Sequence, residues 1–154
     1  EDIDFCIRMF SQPLKCIYLS MHFYAYVKHK AAITASMTIS KFLDSFSLCR
    51  IFHENAIKVS NKSTSNILDK YGIMHFYYTL YDFANSEYFK YKPKVLYEYG
   101  ISQLLNEVRL WAHDIDMKLP LSLRIKPYLA CVFIRVLNFA KQLYRRVGAL
   151  AKRR

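Results

Sequence analysis

Only three glycines occur in these 154 residues, Gly72, Gly100 and Gly148. Phosphate-cradling loops need backbone that reaches positive φ and approaches a ligand closely, and neither GxGxxG nor GxxxxGK[ST] is present. A nucleotide-binding fold of either common kind is therefore not contained in this stretch of chain. The four cysteines, Cys6, Cys16, Cys49 and Cys131, form no CxxC and no Cys/His ligand spacing. In so long and apolar a chain they read as small buried hydrophobes in a reducing compartment, not as a disulfide framework. No apolar run approaches the roughly 18 residues of a membrane span, and residues 1–30 do not read as a secretory leader. The five histidines make no HExxH and no zinc grouping, and no serine stands in a nucleophile elbow. His53, His75 and His113, each on an expected helix, read first as structural residues.

What is present is apolar surface and an uneven charge. Hydrophobic residues make up 53% of the chain, with 13 Tyr and 11 Phe, which excludes a disordered tail. The last 29 residues hold 8 cations and no acid, whereas the first 125 hold 15 cations and 12 acids. Eight of the formal +11 therefore belong to the tail. Such a segment favours a polyanionic surface, nucleic acid or anionic lipid, or serves as a solvated face.

Along the chain, Ile3, Phe5, Cys6, Met9 and Phe10 fit one face of a short helix whose positive end carries Glu1, Asp2 and Asp4. Residues 15–20 (KCIYLS) and 23–28 (FYAYVK) read as two short strands rich in β-formers. The pattern then turns helical. Ile39, Phe42, Phe46, Cys49, Phe52 and Ala56 repeat at three and four residues. After a polar break at 60–65 that offers several N-caps, a second helix carries two apolar faces. Ile67, Tyr71, Met74, Tyr78 and Tyr81 form one, and Ile73, Tyr77, Leu80 and Ala84 the other, as in a helix touched on two sides. Its aromatic series reads as core before it reads as a stacking platform for bases or sugars. A third helix begins near Pro93 with the stripe Leu96, Leu104, Val108 and Trp111, and Pro120 and Pro127 bracket a connector. The final helix is the most regular: Leu129, Phe133, Val136, Ala140, Leu143, Val147 and Leu150 form one stripe. Arg135, Asn138, Gln142, Arg145 and Lys152 fall opposite, with Lys141 and Arg146 beside them. A basic amphipathic helix of this kind suits packing on protein or lying in a membrane interface. The expected class is thus mainly α: a short N-terminal helix and two short strands, then a bundle of about four helices.

One ordered set of features carries a family resemblance. Glu1-Asp2-Ile3-Asp4-Phe5 opens a helix, the strand KCIYLS follows, and then the Tyr-rich FYAYVKHKAAIT. This order resembles the end of the catalytic domain of an inverting family 2 glycosyltransferase of the GT-A fold. There an ED pair opens a helix under the acceptor pocket, and a segment resembling Y-Y-R-x-H/R-x-x-S-I-T comes after the next strand. The likeness covers residues 1–36. Val27 stands where Arg is common and Ala32 where Ser is common.

The resemblance implies that residues 1–36 end a catalytic domain, the remnant of an α/β GT-A domain. Residues 37–126 would be a helical extension like that of bacterial members that build surface polysaccharides, and 127–154 a basic tail helix. Asp2 would be the base that takes the proton from the acceptor hydroxyl, with Glu1 its partner. His29, Lys28 and Lys30 would lie near the donor diphosphate. The implied cofactor is a divalent metal, Mn or Mg, held by a DxD motif upstream of this chain, so the piece alone should be inactive. The implied partners are a nucleotide-sugar donor and a glycan or lipid-linked acceptor. Arg135, Lys141, Arg145, Arg146 and Lys152 would contact membrane or partner at the inner face of the cytoplasmic membrane. The alternative is a non-enzymatic α-helical binding module whose basic helix meets nucleic acid, anionic lipid or protein; with no recognised motif, nucleic acid is the least favoured.

Overall fold

The structure, a computed structural model, describes residues 38–91 and 93–151, with the helical path alone at 91 and 146–151. Seven helical segments follow one another there: α1 (Ile39–Lys58), α2 (Lys62–Asn85), α3 (Glu87–Tyr91), α4 (Val95–Glu98), α5 (Ile101–Asp114), α6 (Leu121–Arg124) and α7 (Pro127–Ala151). No strand occurs among the described residues. The helix and two strands expected in 1–36 lie outside them. Four helices are long, α1, α2, α5 and α7, and the other three are about one turn each.

Capping chemistry sets the first two boundaries. Thr38 caps α1 by accepting from the Lys41 N–H at 3.3 Å, and Asn61 caps α2 by accepting from the Thr64 N–H at 3.1 Å. Of the possible caps in the polar break, Asn61 is the one used. The two helices pack antiparallel, the Phe42 ring edge-on to Phe83 at 5.3 Å and the Phe46 ring against Phe76 at 5.2 Å. The stripe expected on α1 is the buried one: Phe42, Phe46, Cys49 and Ala56 are all enclosed. Gly72 brings the pair together, because a Cβ there would stand 2.9 Å from the Phe52 Cβ and 3.1 Å from the Cys49 carbonyl oxygen.

The helix expected from Pro93 onward is two helices. Gly100 takes φ +70°, a left-handed backbone that ends α4 and starts α5. The expected stripe survives the break, since Leu96, Leu104, Val108 and Trp111 are buried. The connector between the prolines winds into α6 and is tied back by Arg109, which donates to the carbonyls of Leu123 (2.7 Å) and Ile125 (2.6 Å). Proline opens α7, at a helix position where the missing N–H costs nothing.

α2 is the spine of the molecule. Its Ile73, Phe76, Leu80, Phe83 and Ala84 are buried in a core shared with α1, α4, α5 and α7. Ile67, Tyr71 and Tyr78 are exposed instead, and of their face Tyr81 reaches a neighbour, its hydroxyl donating to Asn138 of α7.

Candidate functional site

The site that stands out is α7. Its core-facing side is narrow: Ala130, Cys131 and Ile134 are buried, followed by Asn138 at Tyr81. Arg135, named among the membrane or partner contacts, is half-buried with its guanidinium 5.9 Å from the centroid of the Phe89 ring. Tyr128 packs on the same ring, centroids 5.6 Å apart.

Most of the expected apolar stripe points elsewhere: Leu129, Val136, Ala140 and Leu143 are exposed, while Phe133 is half-buried. Val132 and Phe139, outside that stripe, are exposed beside it, Phe139 at 68%. At about 100° per residue Leu129, Val132, Val136, Phe139 and Leu143 form one band, on the opposite side of the helix from Ala130, Cys131 and Ile134. Packing on the protein's own core, one of the two readings open to this helix, is not how the stripe is used among the described residues. From Phe139 to Arg145 every side chain is exposed, so the helix runs past the body.

Lys141 and Arg145 are exposed on this projecting part. Arg146 lies on the helix with its side chain outside the described residues, and Lys152 is outside them altogether. Glu1, Asp2, Lys28, His29 and Lys30 also lie outside the described residues. Among the described residues no helix is long and apolar enough to cross a membrane.

A second cluster joins α1, α2 and α5, and its pairings were invisible in the sequence. The Nδ1 of His53 lies 2.7 Å from Asp69 Oδ1, and the imidazole stacks on Trp111 with centroids 4.2 Å apart and planes within 17°. One turn earlier on α1 and α5, Arg50 makes a bidentate pair with Glu107 at 2.9 and 3.0 Å. A carboxylate behind a histidine can orient a general base. The nearest candidate nucleophile on the same helix face, however, is quenched: Cys49 is buried, its Sγ within 2.7 Å of the Phe46 carbonyl oxygen, and burial pushes the thiol up to about 12. Through these contacts the cluster ties α1, α2 and α5 together. Burial likewise pushes Cys131 up to about 12. His75 is held below the ordinary histidine range by burial, with its Nε2 3.1 Å from Ser45 Oγ. His113 is exposed beside Asp114, at 3.6 Å.

Among the described residues no group of three or more His, Cys, Asp and Glu is placed to hold a metal ion. Comparison with protein families, curated proteins and solved structures finds no match for this chain.

Proposed function

We propose that the helical body seats a sugar-transferring enzyme on an anionic membrane surface, with α7 lying in the interface. The outward band of α7 carries this reading. A helix that touches its own core along a narrow side, and places Leu129, Val132, Val136, Phe139 and Leu143 in water, needs another apolar phase to cover them. A bilayer interface takes such a band to a depth of about 5–10 Å. The cations of the tail, uncompensated by any acid over 29 residues, would each add about 1 kcal/mol near anionic lipid. A duplex polyanion would reward the charge and leave the apolar band uncovered, which is why lipid is the better fit.

The transferase half of the proposal rests on the resemblance carried by the sequence of residues 1–36, where the ED pair, KCIYLS and the Tyr-rich segment follow in order. If Asp2 opens a helix as the resemblance implies, the helix dipole and free N–H groups would keep its carboxylate ionised, which suits it to act as base on an acceptor hydroxyl with Glu1 to orient it. His29, Lys28 and Lys30 would steady the leaving diphosphate. No step is assigned to a metal, whose ligands the resemblance puts outside this chain.

Flotation tests the membrane claim. The chain should rise with phosphatidylserine-containing vesicles and stay down with neutral ones, and raised salt should weaken its binding. Phe139→Asp, at a position two-thirds exposed, should abolish flotation without unfolding the body. Failure to float, or flotation indifferent to Phe139→Asp, would remove the reading. The catalytic claim has its own test: in the enzyme that carries residues 1–36, Asp2→Asn should lower kcat by about 10²–10⁴-fold. An unchanged rate would take Asp2 out of the chemistry.

A further inference from the structure

The exposed face of α2 presents chemistry that neither α7 nor residues 1–36 account for. Tyr71 and Tyr78 are 62% and 57% exposed, on the side of α2 away from its buried Ile73, Phe76 and Leu80. Between them and α1 runs a groove of about 560 Å³, lined among others by Phe52, Lys70, Tyr71, His75 and Tyr78. That volume lies within the range of small-molecule sites.

The groove is built, not incidental. The close approach at Gly72 sets Phe52 beside Tyr71, and their rings stack with centroids 6.4 Å apart and planes 23° apart. Tyr71 is thereby backed on one side while most of its surface stays open. His75 is braced by Ser45, which bonds Thr79 in turn at 2.7 Å. Because burial holds this imidazole neutral at pH 7, it offers hydrogen-bonding capacity without charge.

Flat apolar faces thus alternate with phenol hydroxyls, a neutral imidazole and one ammonium. A purely aliphatic chain laid in the groove would desolvate those polar groups without replacing their hydrogen bonds. A sugar meets both demands, with C–H faces for the rings and hydroxyls for the polar atoms. Tyr71 and Tyr78 are seven residues apart, about 10.5 Å along the helix axis, roughly the length of two pyranose units, so the two rings would meet alternate sugars of one extended chain. Among the described residues of the lining Lys70 is the charged one and no carboxylate accompanies it, so the complementary ligand is anionic.

We propose that this groove binds an acidic oligosaccharide, its sugar faces laid on Tyr71 and Tyr78 and a uronate carboxylate paired with Lys70. The proposal stands on the α2 groove alone: neither a failure to bind vesicles nor an inactive role for Asp2 touches it.

NMR titration of the whole chain tests it, using a tetrasaccharide of alternating glucuronate and N-acetylglucosamine with neutral cellotetraose as the comparison. Amide shifts should be confined to residues 67–78 and the neighbourhood of Phe52, and the acidic sugar should bind more tightly. Lys70→Gln should weaken the acidic sugar by up to about fivefold, the worth of one exposed charge contact, and bring it level with the neutral one. Tyr71→Ala should weaken both by about tenfold, the worth of one stacked ring. Both side chains are exposed, so unchanged resonances elsewhere will report an intact fold. Absence of shifts with either sugar, an affinity unchanged in Tyr71→Ala, or a preference for the acidic sugar that survives Lys70→Gln would overturn the proposal.

Discussion

Cys49 and Cys131 show how burial turns a reactive group into packing material. Each thiol is pushed from 9.0 up to about 12 by its enclosure, which at Cys49 outweighs the opposing pull of the adjacent Arg50 guanidinium. The consequence for stability has a definite sign. Between pH 9 and about 12 the unfolded chain loses these two protons while the folded chain keeps them, so stability falls as pH rises through that window. Urea midpoints should therefore decline above pH 9, and more shallowly in a Cys49→Ala/Cys131→Ala double variant. A wild-type slope identical to that of the double variant would show that the thiols do not contribute. The identity of these cysteines as buried hydrophobes was legible in their spacing. The link from His53 to Asp69 was not, because the two residues sit 16 positions apart on different helices and no local pattern marks them as partners.

Helix register, like residue burial, followed from periodicity wherever a helix had one dominant neighbour. The stripe of α1 and that of α5 are the buried faces, since apolar side chains at steps of three and four can be covered by a single packed partner. The break at Gly100 escaped that pattern because the apolar spacing continues across it, and only the backbone turn separates α4 from α5. Gly72 carries an element-level prediction. A methyl group at this position meets the Phe52 Cβ and a main-chain carbonyl, neither of which can swing away. Gly72→Ala should thus push α1 off α2 even though alanine favours a helix by up to about 1 kcal/mol. Overpacking of about 1–3 kcal/mol outweighs that gain, and the melting temperature should drop by roughly 4–8 °C. A melting temperature that rises instead would mean the helices have room to spare. The same shift of α1 should disturb the Phe52–Tyr71 stack and, with it, the groove beside α2.

For the chain as a unit, charge and apolar surface are segregated. Residues 1–125 are close to balanced, with a net of +3, and the remaining +8 falls on the tail that contains α7. That distribution, the helical class and the four long helices were all decided by composition and spacing, which depend on sequence neighbours alone. Which side of an amphipathic helix meets the core is another matter. On α7 the regular apolar stripe was open to packing on protein or to an interface, and the body takes the side with Ala130, Cys131, Ile134 and Asn138. On α2 two apolar faces were visible, and one of them is left as an aromatic wall. Periodicity says that a face exists; the neighbour's shape chooses among faces, because small residues allow close approach and a polar group can be buried only where a partner such as Tyr81 meets it. The sequence by itself determined a helical, tail-basic chain poor in glycine, and the tertiary packing alone decided that its largest apolar band would be turned outward.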